Sequence, residues 1–236
     1  MTVIQFTPKA ENSPPEPQPP SHEPLLRLPP HTTALIIILV VIHAVLSLGD
    51  MAFNGLMLAA YTQGGFIPAS LTDTLTGALA FQPMAVLSIL TAGFLHGSWM
   101  HLGVNCAMLL ACGSGVERAM GAKWLWVLLI GGILAGNLTY FAFDPDGIYP
   151  LVGASGGISA LFGAAMLALG GADKRQIAVW LALFIGLSML QAYMGGPNGE
   201  KIAGAAHIGG FVYGLGVALS LREKRGKLRG EIGESE

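Results

Sequence analysis

The chain has 236 residues, of which 53% are hydrophobic and 11% charged, and its mean hydropathy is +0.60. A soluble domain carries about a quarter charged residues, so this composition excludes an ordinary water-soluble globule. The formal net charge of −2 says nothing about nucleic acid; no basic patch lies outside the C-terminal tail, and no nucleic-acid partner is expected.

Residues 1–31 are rich in Pro, Glu, Ser and Gln, which predicts a disordered arm that buries too little apolar surface to fold. The arm has no apolar core after a basic start, so it does not read as a signal peptide. Its His22 and His31 are given no role. Pro29-Pro30 ends the arm, Thr32 or Thr33 is the expected cap, and residues 34–53 are apolar throughout. Some ~20 residues at 1.5 Å each match a hydrocarbon core of ~30 Å. His43 lies mid-span and reads as a packed polar residue; Asp50 sits near the far end. Residues 54–86 are too apolar for a solvated loop and are expected to form short helices in the membrane interface.

A second span covers about residues 86–116 with its lead-in, its helix starting near Trp99 and ending before Gly121. Cys106 and Cys112 lie within it on different helix faces and read as core residues, neither a disulfide nor a metal pair. A third span runs from 123 to 143, followed by the turn Asp144-Pro145-Asp146-Gly147. The fourth opens at Ser155 and ends at Gly170-Gly171, the fifth covers 176–194, and the sixth 203–221. The loop at 195–199 is glycine-rich, and residues 222–236 form a polar tail. The expected fold is therefore all-α: a polytopic bundle of six transmembrane helices over residues 32–221, flanked by the arm and the tail.

The basic residues test this topology. With the N-terminus in the cytoplasm, eleven of the 12 Lys and Arg fall on the cytoplasmic side and Lys201 alone on the other. That is a strong positive-inside bias, and it predicts a multi-pass membrane protein with both termini cytoplasmic. The same topology brings His96, His101, Ser155 and His207 to one membrane depth, at the outer ends of spans two, four and six.

That convergence has chemical meaning. A serine hydroxyl becomes a nucleophile when a neighbouring base takes its proton, and histidine is the usual base. Ser155 stands in Gly153-Ala154-Ser155-Gly156-Gly157 at a helix N-terminus, where free backbone N–H groups stabilise negative charge. His207 precedes Gly210 and Gly214, a GxxxG face that admits a close partner helix. No carboxylate lies near that depth, so a Ser155–His207 dyad is expected and not a triad. His101 and Asn105 share one helix face and are candidate oxyanion donors beside the Ser155 amide; His96 joins them or holds its loop. The plainer reading is that glycines and polar residues only let helices pack.

Together these pieces resemble the rhomboid intramembrane serine proteases. The matching motifs are His96-x4-His101-x3-Asn105, Gly153-Ala154-Ser155-Gly156 and Ala206-His207-Ile208-Gly209-Gly210, with Glu117-Arg118 before Gly121 similar to the element closing the family's second helix. The resemblance covers about residues 34–221. It implies Ser155 as nucleophile, His207 as base, and His101, Asn105 and the Ser155 amide as oxyanion donors, with Gly153, Gly156, Gly210 and Gly214 supporting. It further implies a membrane-embedded first loop at 54–86, a mobile cap at 195–203, a transmembrane protein as substrate, no cofactor, no metal, and the bacterial inner membrane as location. Possession of both Ser155 and His207 argues against the inactive relatives. Ser159 stands where some members have a Tyr that stacks on the histidine, leaving Tyr193 or Tyr213 as candidates to orient His207. The first loop also lacks a Trp-Arg element found in some relatives.

Two other readings fit parts of the chain. Gly153-x-Ser155-x-Gly157 also matches the nucleophile elbow of α/β-hydrolases, which needs a strand at 148–152 and a parallel sheet around it. Alternatively, His43, His96, His101 and His207 serve a non-enzymatic haem- or metal-binding membrane protein, although these spans supply no carboxylate at the right depth.

Overall fold

The computed structural model describes residues 28–170, 173–194 and 204–233. Most of the expected arm (residues 1–27) and the expected cap (195–203) lie outside the described residues. Within them the elements are helices, and the β contact is an isolated antiparallel bridge between Phe66 and Leu151.

Helix α1 (Pro30–Ala52) begins with Pro30 in its first turn, where the missing N–H costs nothing. Its cap differs from the expected Thr32 or Thr33. Pro29 holds the N-cap position, and the Glu117 carboxylate accepts from the His31 amide at 3.1 Å, the Thr32 amide at 2.8 Å and the Thr32 hydroxyl at 2.7 Å. A carboxylate from another helix thus meets the positive end of α1, satisfying amides that have no partner inside the helix.

The connection after α1 folds into α2 (Leu56–Gly64), α3 (Pro68–Thr76) and α4 (Pro83–Thr91), continued by a 3₁₀ turn at Ala92–Phe94. Leu75, Leu79 and Phe81 remain largely exposed there, which suits a segment lying in a membrane interface. The second span starts at Trp99, with α5 (Trp99–Met108), a π-turn at Leu109–Gly113 and α6 (Ser114–Met120), and it stops before Gly121 as the sequence predicts. Cys106 and Cys112 are both free. Then come α7 (Ala122–Phe143), α8 (Ser155–Gly170), α9 (Lys174–Met194) and α10 (Gly204–Gly233). Helix α10 continues to Gly233, well past 221, the expected end of the last span; the Arg, Glu, Lys and Leu of the tail are good helix formers.

Among the described residues, four helical stretches are long and apolar enough to cross a bilayer: Pro30–Ala52, Trp99–Met120, Ala122–Phe143 and Gly204–Glu223. The other two expected spans are shorter apolar stretches, Ser155–Ala168 and Arg175–Gly186, so the count of six is not met by length and apolarity alone. At 16 residues α8 is about 24 Å long, short of the ~30 Å core.

The tightest packing joins α7, α8 and α10. A Cβ on Gly210 would overlap the Gly156 carbonyl, and one on Gly214 would overlap the Ala160 carbonyl, so α10 lies backbone to backbone against α8. Around this seam Leu125, Leu128, Leu129 and Leu161 form the core with Leu35 and Leu39 of α1.

Two substitutions on α10 separate close approach from general helix packing. Gly214→Ala is expected to destabilise the protein by about 1–3 kcal/mol through overpacking. Gly216→Ala, where nothing lies within 4 Å of the new methyl, should leave stability unchanged or slightly raised. Thermal unfolding in detergent measures both, and equal midpoints would contradict the seam. By the same measurement, Glu117→Ala should cost about 2–3 kcal/mol, because it strands the α1 amides.

Candidate active site

Ser155 opens α8 after an extended segment that is held on both sides. Phe66 and Leu151 exchange backbone hydrogen bonds of 2.9 and 2.8 Å, and the Gly153 amide donates to the Ala92 carbonyl at 2.9 Å. Further back, the Ala69 amide bonds the Gly147 carbonyl at 3.0 Å and the Thr72 hydroxyl bonds the Pro145 carbonyl at 2.7 Å. The interfacial loop thus clamps the chain that leads to the serine. Gly153 has φ +128°, a conformation open to glycine and strained for other residues. The first intrahelical bond runs from the Ile158 amide to the Ala154 carbonyl at 2.9 Å. The amides of Ser155, Gly156 and Gly157 therefore have no carbonyl within α8 to bond, and they stand at its positive end.

His101 reaches this point from the first turn of α5. The Ser98 hydroxyl caps that helix by accepting from the His101 amide at 3.1 Å. A Cβ on Gly153 would stand 2.8 Å from His101 Cε1 and Nε2 and 3.8 Å from Ser155 Oγ, so ring and hydroxyl both border Gly153. Asn105, 4% exposed, donates one amide hydrogen to the His101 carbonyl at 3.0 Å, and its amide carries a second.

His207 lies one turn before Gly210, on the face that meets α8. A Cβ on Gly156 would stand 3.7 Å from the Ala206 carbonyl, so the neighbours of Ser155 and His207 touch across the seam. Ser155, His207, His101, Gly153, Gly156 and Gly210 are thus gathered in one place, with Asn105 attached through His101. Gly214 lies one turn deeper, against Ala160. His96, 1% exposed, does not border Gly153; its ring meets His101 edge to face at 5.3 Å.

The residues considered for orienting His207, and one that went unnoticed in the sequence, are placed as follows. The Tyr213 hydroxyl points to α7, donating to the Val127 carbonyl at 3.4 Å, so Tyr213 does not orient His207. The side chain of Tyr193 lies outside the described residues. Ser159 donates to the Ser155 carbonyl at 2.7 Å. Phe211, one turn after His207, stacks on Phe184 of α9 at 4.4 Å, a contact that two phenylalanines in separate spans do not advertise.

No strand or sheet surrounds the Leu151 segment among the described residues, which removes the α/β-hydrolase reading. Among the described residues no three His, Cys, Asp or Glu side chains converge with the geometry of a metal site.

Comparison with known proteins agrees with this geometry. The family model described as Rhomboid domain matches residues 83–224, more than half of the chain and the whole of the site. Rhomboid-related protein 2 of Mus musculus is 27% identical over 137 residues, covering 53% of this chain and 45% of that protein. RHOMBOID-like protein 5 of Arabidopsis thaliana is 30% identical over 140 residues, 56% of this chain and 44% of the other. Rhomboid-type serine protease 2 of Emericella nidulans is 29% identical over 148 residues, 59% and 28% respectively. The matched stretch is less than half the length of each of these relatives. The chain belongs to the rhomboid family, and its long apolar helices make it an integral membrane protein of that family.

Proposed function

We propose that this protein is an intramembrane serine endopeptidase that cuts peptide bonds in or near transmembrane segments of membrane proteins through a Ser155–His207 dyad. The observation that carries this reading is the seam at Gly156, where the residue after Ser155 abuts the carbonyl of the residue before His207. A relative bearing the name rhomboid-type serine protease supports it.

In this reading His207 takes the Ser155 proton as Oγ attacks the scissile carbonyl carbon. The carbonyl π electrons move to oxygen, which meets the Ser155 amide, Asn105 and His101 as donors. His207 then gives its proton to the leaving amine as the C–N bond breaks. Water, deprotonated by the same histidine, hydrolyses the acyl-enzyme and restores the serine. With α8 this short, Ser155 would lie below the membrane surface, and the site would meet a substrate helix where it unwinds. Unwinding is needed because a regular helix engages its carbonyls in hydrogen bonds. The positive-inside bias supports an outward-facing site with both termini cytoplasmic, and the proposed location is the bacterial inner membrane.

Cleavage of a model transmembrane substrate in liposomes tests the reading. Wild type should cut it, and Ser155→Ala and His207→Ala should each lower turnover by roughly 10³-fold or more. Activity that survives Ser155→Ala would remove the nucleophile. Asn105→Ala should cost about 2.7–4 kcal/mol of transition-state stabilisation, seen in kcat. Gly153→Ala should also inactivate, since its methyl meets the His101 ring at a strained φ.

A further inference from the structure

We propose that His43, on α1, is a positioning residue for the reaction: through His96 it sets the orientation of the His101 ring beside Ser155. The inference rests on the protease reading above, and it concerns a residue outside the stretch 83–224 that the family model matches.

Four aromatic rings from two helices and the loop between α4 and α5 form a chain that ends at the site. Trp99 meets His43 at 4.7 Å with planes at 83°, His43 meets His96 at 6.5 Å and 86°, and His96 meets His101 at 5.3 Å and 72°. Each contact is edge to face, the arrangement in which a positive ring edge meets a negative face. Each ring thereby constrains the plane of the next. His101 then borders Gly153 and, across it, Ser155 Oγ.

Hydrogen bonds do not explain how His96 is held. The residue is 1% exposed, yet neither ring nitrogen has a hydrogen-bond partner among the described residues. Its main chain is tied down, because its carbonyl accepts from the Tyr61 hydroxyl at 2.7 Å. The side chain is left to its ring contacts with His43 and His101. His43 is 2% exposed with an unpartnered Nδ1. An imidazole buried in an apolar helix bundle is costly compared with leucine, and leucine would fill the same space. What leucine lacks is a planar ring with a face and an edge. The geometry therefore assigns His43 a directional role.

The test compares His43→Leu, which fills space without a ring, with His43→Phe, which restores a ring. Leu39→Ala, one turn earlier on the same buried face, loosens α1 while all four rings remain in the chain. For the full-length protein in liposomes, His43→Leu should lower kcat roughly tenfold to a hundredfold, a loss typical of misplaced catalytic groups, with KM within twofold. His43→Phe should recover most of that loss at a matching melting temperature. In parallel, the ring ¹⁵N signals of His101, assigned by their absence in His101→Ala, should move in His43→Leu, return in His43→Phe, and stay in place in Leu39→Ala.

Wild-type kcat in His43→Leu, equal loss in the Leu and Phe variants, or a His101 shift in Leu39→Ala as large as in His43→Leu would each overturn the proposal. The spectroscopic arm reads the ring whether or not substrate is cut. Inactivity of the wild type would therefore count against the protease reading alone, and the His101 signals would still decide the role of His43.

Discussion

Backbone contact between α8 and α10 is the constraint on which the rest of this structure depends. In a membrane, apolar side chains gain little by leaving lipid for one another, so helices associate through close packing and hydrogen bonds. Here Gly210 faces the Gly156 carbonyl and Gly214 the Ala160 carbonyl, with no side chain between them. Gly132 and Gly136 of α7 press on the same stretch of α8. Three backbones therefore fix the relation of Ser155 to His207, and flexible side chains have little part in it. Reactions that need atoms aligned to within about an ångström reward such a frame.

The frame alone would leave the chain before Ser155 loose. Residues 144–153 are not helical, and within a membrane protein such backbone must find its hydrogen bonds inside the protein or at water. The interfacial helices supply them: Phe66 pairs with Leu151, Ala92 accepts from Gly153, and α3 bonds Gly147 and Pro145. At the opposite end of the bundle, Glu117 ties the start of α1 to the end of the second span. The bundle is thus braced at both ends, with the site at the end that carries the loops.

Much of this was legible in the sequence because apolar runs and glycine spacing are local signals. The start of α5 at Trp99, the turn after Phe143 and the opening of α8 at Ser155 fall where Ser98, Asp144-Pro145 and the glycine motif put them. The meeting of the Gly153 segment with His101, and of Gly156 with the residue before His207, lies where an expected topology with those helix ends on one side would bring them. What could not be read depends on contacts between distant segments. Glu117 capping α1 crosses about 85 residues, and no capping rule local to Thr32 reveals it. Tyr213 sits on α10 close to His207 in sequence, but its direction is set by Gly131 of α7 leaving room for its ring. His43 read as a packed polar residue because a lone histidine in an apolar span carries no pattern; its ring contacts with His96 and Trp99 appear only in three dimensions.

The central claim is that Ser155 is made nucleophilic by His207, and active-site labelling tests it most directly. The folded protein would be treated with a fluorophosphonate, which phosphonylates activated serines, and the modified residue located by mass spectrometry. The account predicts one adduct, on Ser155, lost in His207→Ala and after denaturation. An adduct on another serine, equal labelling of the His207→Ala protein, or no adduct on the folded wild type would contradict it.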